Sequence, residues 1–257
     1  MWSYDVLALF RNGKTKTGRF WVYLRDGRPH AGAAPPAVLY RYTPDRKGEH
    51  CRAHLASFAG HLHADGYSGF NELYEEKDAG LACVAEVACW AHVRRKFFDV
   101  HKSNGSPIAK QALEKIGVLF DIERAIAGKP PGLRKAVRMA KAKAKPKLDE
   151  LAGWFDEQRK LIPGKSDLAK AIRYARSRWE ALTCYCADGR LEISNKASRT
   201  WRLRSNGSRP TSTLASCSNA RRLRAAGQAY RRPYQGYWRS SKHAARVSIL
   251  YKTMQYL

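Results

Sequence analysis

The spacing of the apolar residues changes twice along this chain, and each change limits what that stretch can fold into. Up to residue 105, short runs of two-residue period alternate with runs of helical period. "YDVLALF" ends at the turn "RNGK". "GRFWVYLRDGRP" alternates aromatic and β-branched residues and closes on Asp26-Gly27, and "AVLYRYTP" stops at Pro44. These three runs predict an opening meander. "GEHCRAHLASFAG" then sets Ala53, Leu55, Ala56 and Phe58 at helical spacing, with Gly60 suited to a C-cap. "HLHADGY" predicts a fourth strand, "SGFNELYEE" a helix capped by Ser68, and "EVACWAHV" a fifth strand running into a helix at "RRKFFDVHK". Three strands, helix, strand, helix, strand is an α/β order, neither a bundle nor a sandwich.

From Ser106 to residue 187 only the helical period remains. Ser106 caps a helix with Pro107 in its first turn, and Ile108, Leu113, Ile116, Leu119, Phe120 and Ile126 keep the spacing. "GKPPG" ends it. "LRKAVRMAKAKAKPKLDELAGWFDEQRKLI" predicts a helix with a basic first half and a break at Pro146. Pro163-Gly164 breaks the pattern again, and "SDLAKAIRYARSRWEALTCYC" resumes it behind Ser166. The expected organisation is an α/β domain over 1–105, a helical block over 106–192, and a tail over 193–257 expected to be disordered or poorly packed.

The tail differs in charge as well as in period. Glu192 is the last acidic residue; Ile193 to Leu257 is 65 residues with 14 Lys or Arg and no carboxylate. Of the net charge of +26, the first 192 residues contribute +12 and the tail +14. Such a balance disfavours a protein that only handles small neutral metabolites and favours a polyanion, most simply nucleic acid. The six Cys (51, 83, 89, 184, 186, 217) form no C-x-x-C pair, which points to a reducing cytoplasm rather than a disulfide scaffold or zinc ribbon. No apolar run approaches the roughly 20 residues a membrane helix needs. "MWSYDVLALFRNGK" has neither the basic start nor the cleavage site of a signal peptide.

Four stretches can carry chemistry. On a strand, His61, His63 and Asp65 of "HLHADGY" share one face, as metal ligands can; spacing alone favours the simpler reading of Asp65-Gly66 as a turn beside surface histidines. His50 and His54 have a metal-compatible i, i+4 spacing without the intervening Glu of a zinc-protease helix. Cys184 and Cys186 sit in an apolar context as core or surface thiols. In "CWAHVRRKFF", Arg94, Arg95 and Lys96 lie among aromatics, a pattern for phosphate contact and base stacking, or for an amphipathic helix with its cations in water.

Taken in order, "GKTKTGRFWVYLRDGRPHAG", "YTPDRKGEH", "HADGYSGFNELYE", "ACWAHVRRKFFD", "KSDLAKAIRYARSRWEALT" and "DGRLEISN" resemble the central region of transposases of the insertion sequence 66 family, over residues 13 to 197. The resemblance implies an RNase H-like catalytic core with a helical insertion before the last catalytic carboxylate. It implies transposition of DNA by metal-dependent phosphodiester cleavage and strand transfer. Asp65 would be the second of three acidic residues that hold two divalent ions, Mg2+ or Mn2+. The implied partners are DNA at transposon ends and an intact transposase or a second copy, in a bacterial cytoplasm near the nucleoid, with no membrane.

Departures from the family pattern are as informative. The first acid should fall at Met1, Trp2 or Ser3; Asp5 is the nearest carboxylate, in a shifted register. The third should be a Glu where Arg199 stands, and Glu192 comes too early. Resemblance and acidic residues stop at nearly the same place, which a reading-frame change in the gene explains; a true basic tail is the rival. The expectation is therefore a family member truncated in front, altered behind and catalytically inactive, or alternatively a non-catalytic basic DNA-binding protein.

Overall fold

The computed structural model describes residues 2–9, 15–64, 66–74, 84–141, 143–195 and 247–248, with the backbone alone for 2–9, 15–17 and 247–248. The meander forms as its alternation predicts. β2 (Thr15–Arg25) lies between β1 (Trp2–Leu9) and β3 (Ala37–Thr43), antiparallel to both, with Trp2 opposite Val22 and Arg19 opposite Thr43. Trp21 and Tyr23 of β2 are buried on the same face, and the Trp21 indole donates to Thr43 Oγ1 at 2.7 Å. Asp26 closes the strand by accepting from the Arg28 backbone N–H at 3.1 Å, the local bond that makes Asp-Gly a turn signal.

β4 (Gly60–His63) and β5 (Val84–Val87) form a parallel pair in which Gly60 faces Val84 and His63 faces Val87. β6 (Val247–Ser248) joins the two halves of the sheet, antiparallel to β2 at Leu24 and parallel to β4 at Leu62 and His63. α1 (Gly48–His54) and α2 (Asn71–Tyr74) supply Cys51 and Leu73 to a core that also holds Trp21, Phe58, Leu62 and Phe70.

A second core fills the helical part, which makes up most of the described residues. It comprises α3 (Trp90–Asn104), α4 (Pro107–Ala125), α5 (Pro131–Met139), α6 (Ala144–Leu161), α7 (Asp167–Arg176) and α8 (Trp179–Thr183). Phe97 of α3 and Phe155 of α6 stack at its centre, ring centroids 5.4 Å apart. Both expected serine caps form: Ser106 Oγ accepts from Ala109 N at 3.2 Å and Ser166 Oγ from Ala169 N at 3.1 Å.

Several local expectations change. Helix α1 ends at His54, and Gly60, at φ +132°, opens β4 instead of capping the helix. Ser68 begins a single 3-10 turn without a side-chain cap. The fifth strand stops at Val87 and α3 begins at Trp90, inside the run read as strand. The helix break falls between α5 and α6, so Pro146 lies in the first turn of α6, where its missing N–H costs no hydrogen bond. Packed chain continues past Glu192: Ile193, Ser194 and Asn195 are all buried.

Candidate functional site

The carboxyl ends of β4 and β5 are where chemistry-bearing segments converge. His63 ends β4 fully buried, not at the surface, and Ala64 follows it into the core. Asp65 itself lies outside the described residues. Its neighbour Gly66 packs directly on the Arg178 guanidinium, which a Cβ at residue 66 would meet at 2.7 Å. Arg178, from the α7–α8 junction, is ion-paired with Glu86 of β5. An open recess beside the pair is lined by Arg176, Ser177, Trp179 and Cys184.

The turn after β5 is tied to two distant segments. Ala88 N donates to Ala181 O at 2.9 Å, and the Trp90 indole donates to Leu182 O at 2.8 Å. Trp90 N donates to Ile193 O at 3.1 Å, and the Cys89 thiol to Asn195 Oδ1 at 3.1 Å. Thus the chain following "DGRLEIS" arrives at the end of β5, and so at the same end of the parallel pair as the residues flanking Asp65.

"DGRLE" is held by two buried arginines that the sequence reading did not single out. Arg134 and Arg138 of α5 have side-chain exposures of 1% and 0%. Arg138 grips both oxygens of Glu123, Nε to Oε1 at 2.7 Å and Nη2 to Oε2 at 2.6 Å. It also donates to three main-chain carbonyls: Tyr185 at 2.7 Å, Asp188 at 3.1 Å and Leu191 at 3.0 Å. Arg134 reaches Glu123 at 3.2 Å and Glu192 at 2.7 Å. Two cations and two carboxylates therefore balance inside the protein, as buried charge requires. Glu192 is a member of this network. Gly189 is needed because the Pro131 carbonyl passes 1.8 Å from where its Cβ would stand. Burial raises the Asp188 carboxyl, but side-chain and backbone hydrogen bonds from Arg190 outweigh it and hold the group below the ordinary carboxylate range. Half-buried His61 faces this pair and is pushed down, first by burial; Asp188 opposes that shift and Arg190 adds to it.

The remaining candidates separate. Arg95 pairs with Asp99 one turn along α3, and Lys96 lies over the Tyr174 ring at 4.4 Å. Arg94 is exposed; Trp90 and Phe97 are buried and Phe98 is exposed, so α3 is an amphipathic helix with its cations outward. His50 binds Asp45 and His54 binds the Tyr23 hydroxyl, so the two histidines do not act as a ligand pair. Burial pushes the Cys184 thiol up to about 12 and the Cys186 thiol up to about 11, which makes both poor nucleophiles. Asp5 stands opposite Arg19 in the β1–β2 register. Arg199 lies outside the described residues.

Among the described residues, no three His, Cys, Asp or Glu side chains cluster closely enough to hold a metal ion. Three described carboxylates of β5 and of the "DGRLE" segment each face an arginine: Glu86 with Arg178, Asp188 with Arg190, Glu192 with Arg134. That set, without Asp65, does not fit a divalent cation. Among the described residues no helix is long and apolar enough to cross a membrane.

Comparison with known proteins gives the class. Residues 3–206 match the Transposase IS66 family, and the chain belongs to that family. The match reaches residue 206, beyond the limit near 197 that the motifs alone suggested. Similar proteins include three of Sinorhizobium fredii (strain NBRC 101917 / NGR234), all named as uncharacterized. Protein y4hP is 37% identical over 196 residues, covering 72% of this chain and 35% of the relative. Protein y4qI is 40% identical over 186 residues, 72% and 34%, and y4jD is 33% identical over 183 residues, 71% and 35%. The chain thus spans about a third of the length of these relatives. No solved structure matches it.

Proposed function

We propose that this chain is the central part of a DNA transposase that retains DNA affinity but does not complete strand transfer. Family membership supports the transposase reading. A meander followed by two parallel strands, with a helical block before residue 188, supports an RNase H-like core with an insertion. Strand transfer moves a phosphodiester through a crowded anionic transition state, and two divalent ions held by carboxylates lower its energy. In this reading Asp65 is one ligand, for Mg2+ or Mn2+, and the other two acid positions hold no carboxylate: the first falls on Met1 to Ser3 and the third is Arg199. The observation that carries the inactive reading is the arginine paired with each of Glu86, Asp188 and Glu192. Glu86 and Glu192 are thereby committed to cations and do not substitute for the missing ligands.

The net charge of +26 supports the second reading, a basic DNA-binding protein without catalysis, with transposon ends as partner and Arg94, Arg95, Lys96 and the tail as contacts. One experiment tests both. On duplex DNA carrying transposon ends, the chain binds with an affinity that falls steeply with salt. Deleting 198–257, which carries 13 of the net positive charges, lowers the salt slope. Neither the chain nor its Arg199→Glu variant nicks that DNA in Mg2+ or Mn2+. Metal-dependent cleavage that Asp65→Asn abolishes would overturn the inactive reading, and an unchanged salt slope would remove the tail from the contact.

A further inference from the structure

An arginine has five N–H donors in a fixed planar fork. In Arg138 all five are used, with no solvent exposure: two on the Glu123 carboxylate and three on the carbonyls of Tyr185, Asp188 and Leu191. Glu123 only neutralises it. The three carbonyls belong to one short loop, and a single rigid group that bonds all three dictates the path of that loop. We propose that Arg138 is a positioning residue: through it the helical block holds residues 185–191 on the path that seats Asn195 against Cys89 at the carboxyl end of β5.

The chain of contacts beyond Leu191 is continuous. Leu191 N closes a turn on Asp188 O at 3.0 Å, Glu192 pairs with Arg134, Ile193 O receives Trp90 N, and Asn195 Oδ1 receives the Cys89 thiol. Gly189 lies in contact with the start of α5, so the loop has no room to shift toward it. Release at Arg138 takes its donors from the buried Tyr185 and Leu191 carbonyls and leaves the Asp188 carbonyl with the Leu191 N–H alone. The loop then regains hydrogen bonds only by moving out to water, and residues 193–195 lose the anchor that precedes them. This inference rests on the reading above only in taking that end of the sheet as the site.

Lysine keeps the charge but not the fork, so Arg138→Lys isolates the geometry. The test is maleimide labelling of the native full-length chain, read thiol by thiol by mass spectrometry. Cys186 is buried in the held segment and Cys89 is buried against Asn195 beyond it, whereas Cys51 is buried in the sheet core. The expected result is labelling of Cys89 and Cys186 faster by about tenfold or more, with Cys51 unchanged. Equal acceleration of all three would mean that Arg138 merely supports global stability, and no change at Cys89 would mean that the loop holds itself; either overturns the proposal. Should Arg138→Lys fail to fold, hydrogen exchange on the unaltered chain decides. The Leu191 and Trp90 amides exchange through one common opening if the proposal holds. A freely exchanging Leu191 beside a protected Trp90 would refute it. Neither measurement involves DNA or metal, so its outcome is independent of the binding and nicking assays.

Discussion

Glu123→Gln is the sharpest perturbation of the buried charge network. The substitution keeps shape and removes one charge. Glu123 Oε2 accepts from both arginines, at 3.2 Å from Arg134 and 2.6 Å from Arg138, while Oε1 accepts the Arg138 Nε–H at 2.7 Å. Either orientation of the Gln amide turns an N–H2 toward donors, so at least one charged hydrogen bond is lost. Arg134 keeps Glu192 at 2.7 Å, but Arg138 keeps only carbonyls. Removing one partner of a buried pair costs about 3–5 kcal/mol. Because the Glu192 pair survives, the lower end applies, about 3 kcal/mol, a fall in Tm of roughly 6–12 °C for a chain of this size. Thermal unfolding followed by circular dichroism measures it. The double variant Glu123→Gln, Arg138→Met should be less destabilised than the sum of the two single variants, since it leaves fewer charges unpaired. Strict additivity, or a fall below about 2 °C for Glu123→Gln, would show that the network is not the electrostatic unit described. Lys145→Ala breaks only an exposed pair with Asp149 on α6 and serves as the control, with an expected cost under about 0.5 kcal/mol.

Burial pushes His54 down to about 4, helped by Arg41 and His50, and its Nδ1 meets the Tyr23 hydroxyl at 2.8 Å. The unfolded chain titrates near 6.5, so it binds more protons in the window between. Stability is full above pH ~6.5, falls toward pH ~4 and is level below; Tm against pH should flatten across that window in His54→Gln, and an unchanged slope would contradict the assignment. Gly189→Ala places a Cβ against the Pro131 carbonyl and should destabilise by about 1–3 kcal/mol in urea unfolding, whereas Gly153→Ala, which has open space, should be neutral or stabilising. Downstream of the Asn195 codon, another reading frame of the gene should encode a Glu followed by Arg and then an amphipathic helix. Stop codons in both other frames would count against a frame change.

Where the signal is local, the sequence is legible. The meander follows from two-residue alternation and the Asp26-Gly27 turn, and the helices after Ser106 and Ser166 follow from caps whose partners lie three residues on. The start of α3 is not, because "EVACWAHV" is apolar throughout and a buried strand and a buried helix turn look alike in such a run. Helix α5 inverts the usual rule altogether. Leu133 and Met139 are 49% and 48% exposed while Arg134 and Arg138 are buried. Periodicity assigns cations to water; here it fails because the matching carboxylates, Glu123 and Glu192, come from other parts of the chain and three main-chain carbonyls complete the shell. The same limit applies to the candidate site. Spacing set Asp65 beside two histidines without giving it a role, and only the resemblance to a family marked it as a ligand.

The pairing of the carboxylates also bears on what the acid-free segment can bind. Most described carboxylates of the helical part are already committed close to home. Asp99 holds Arg95, Asp121 holds Arg124, Asp149 and Glu150 hold Lys145 and Lys147, Asp156 holds Arg176, and Asp167 holds Lys170. Glu192, the last carboxylate in the chain, is taken up by Arg134. The cations after it therefore have no acid in their own segment, and most described carboxylates of the helical part already hold a cation. A polyanion outside the chain is a ready source of counter-charge for such a segment. That makes a salt-dependent affinity for DNA the expected property of this sequence whether its tail arose by a frame change or by selection, because counterion release depends on how many cations meet phosphate and not on how they came to be encoded.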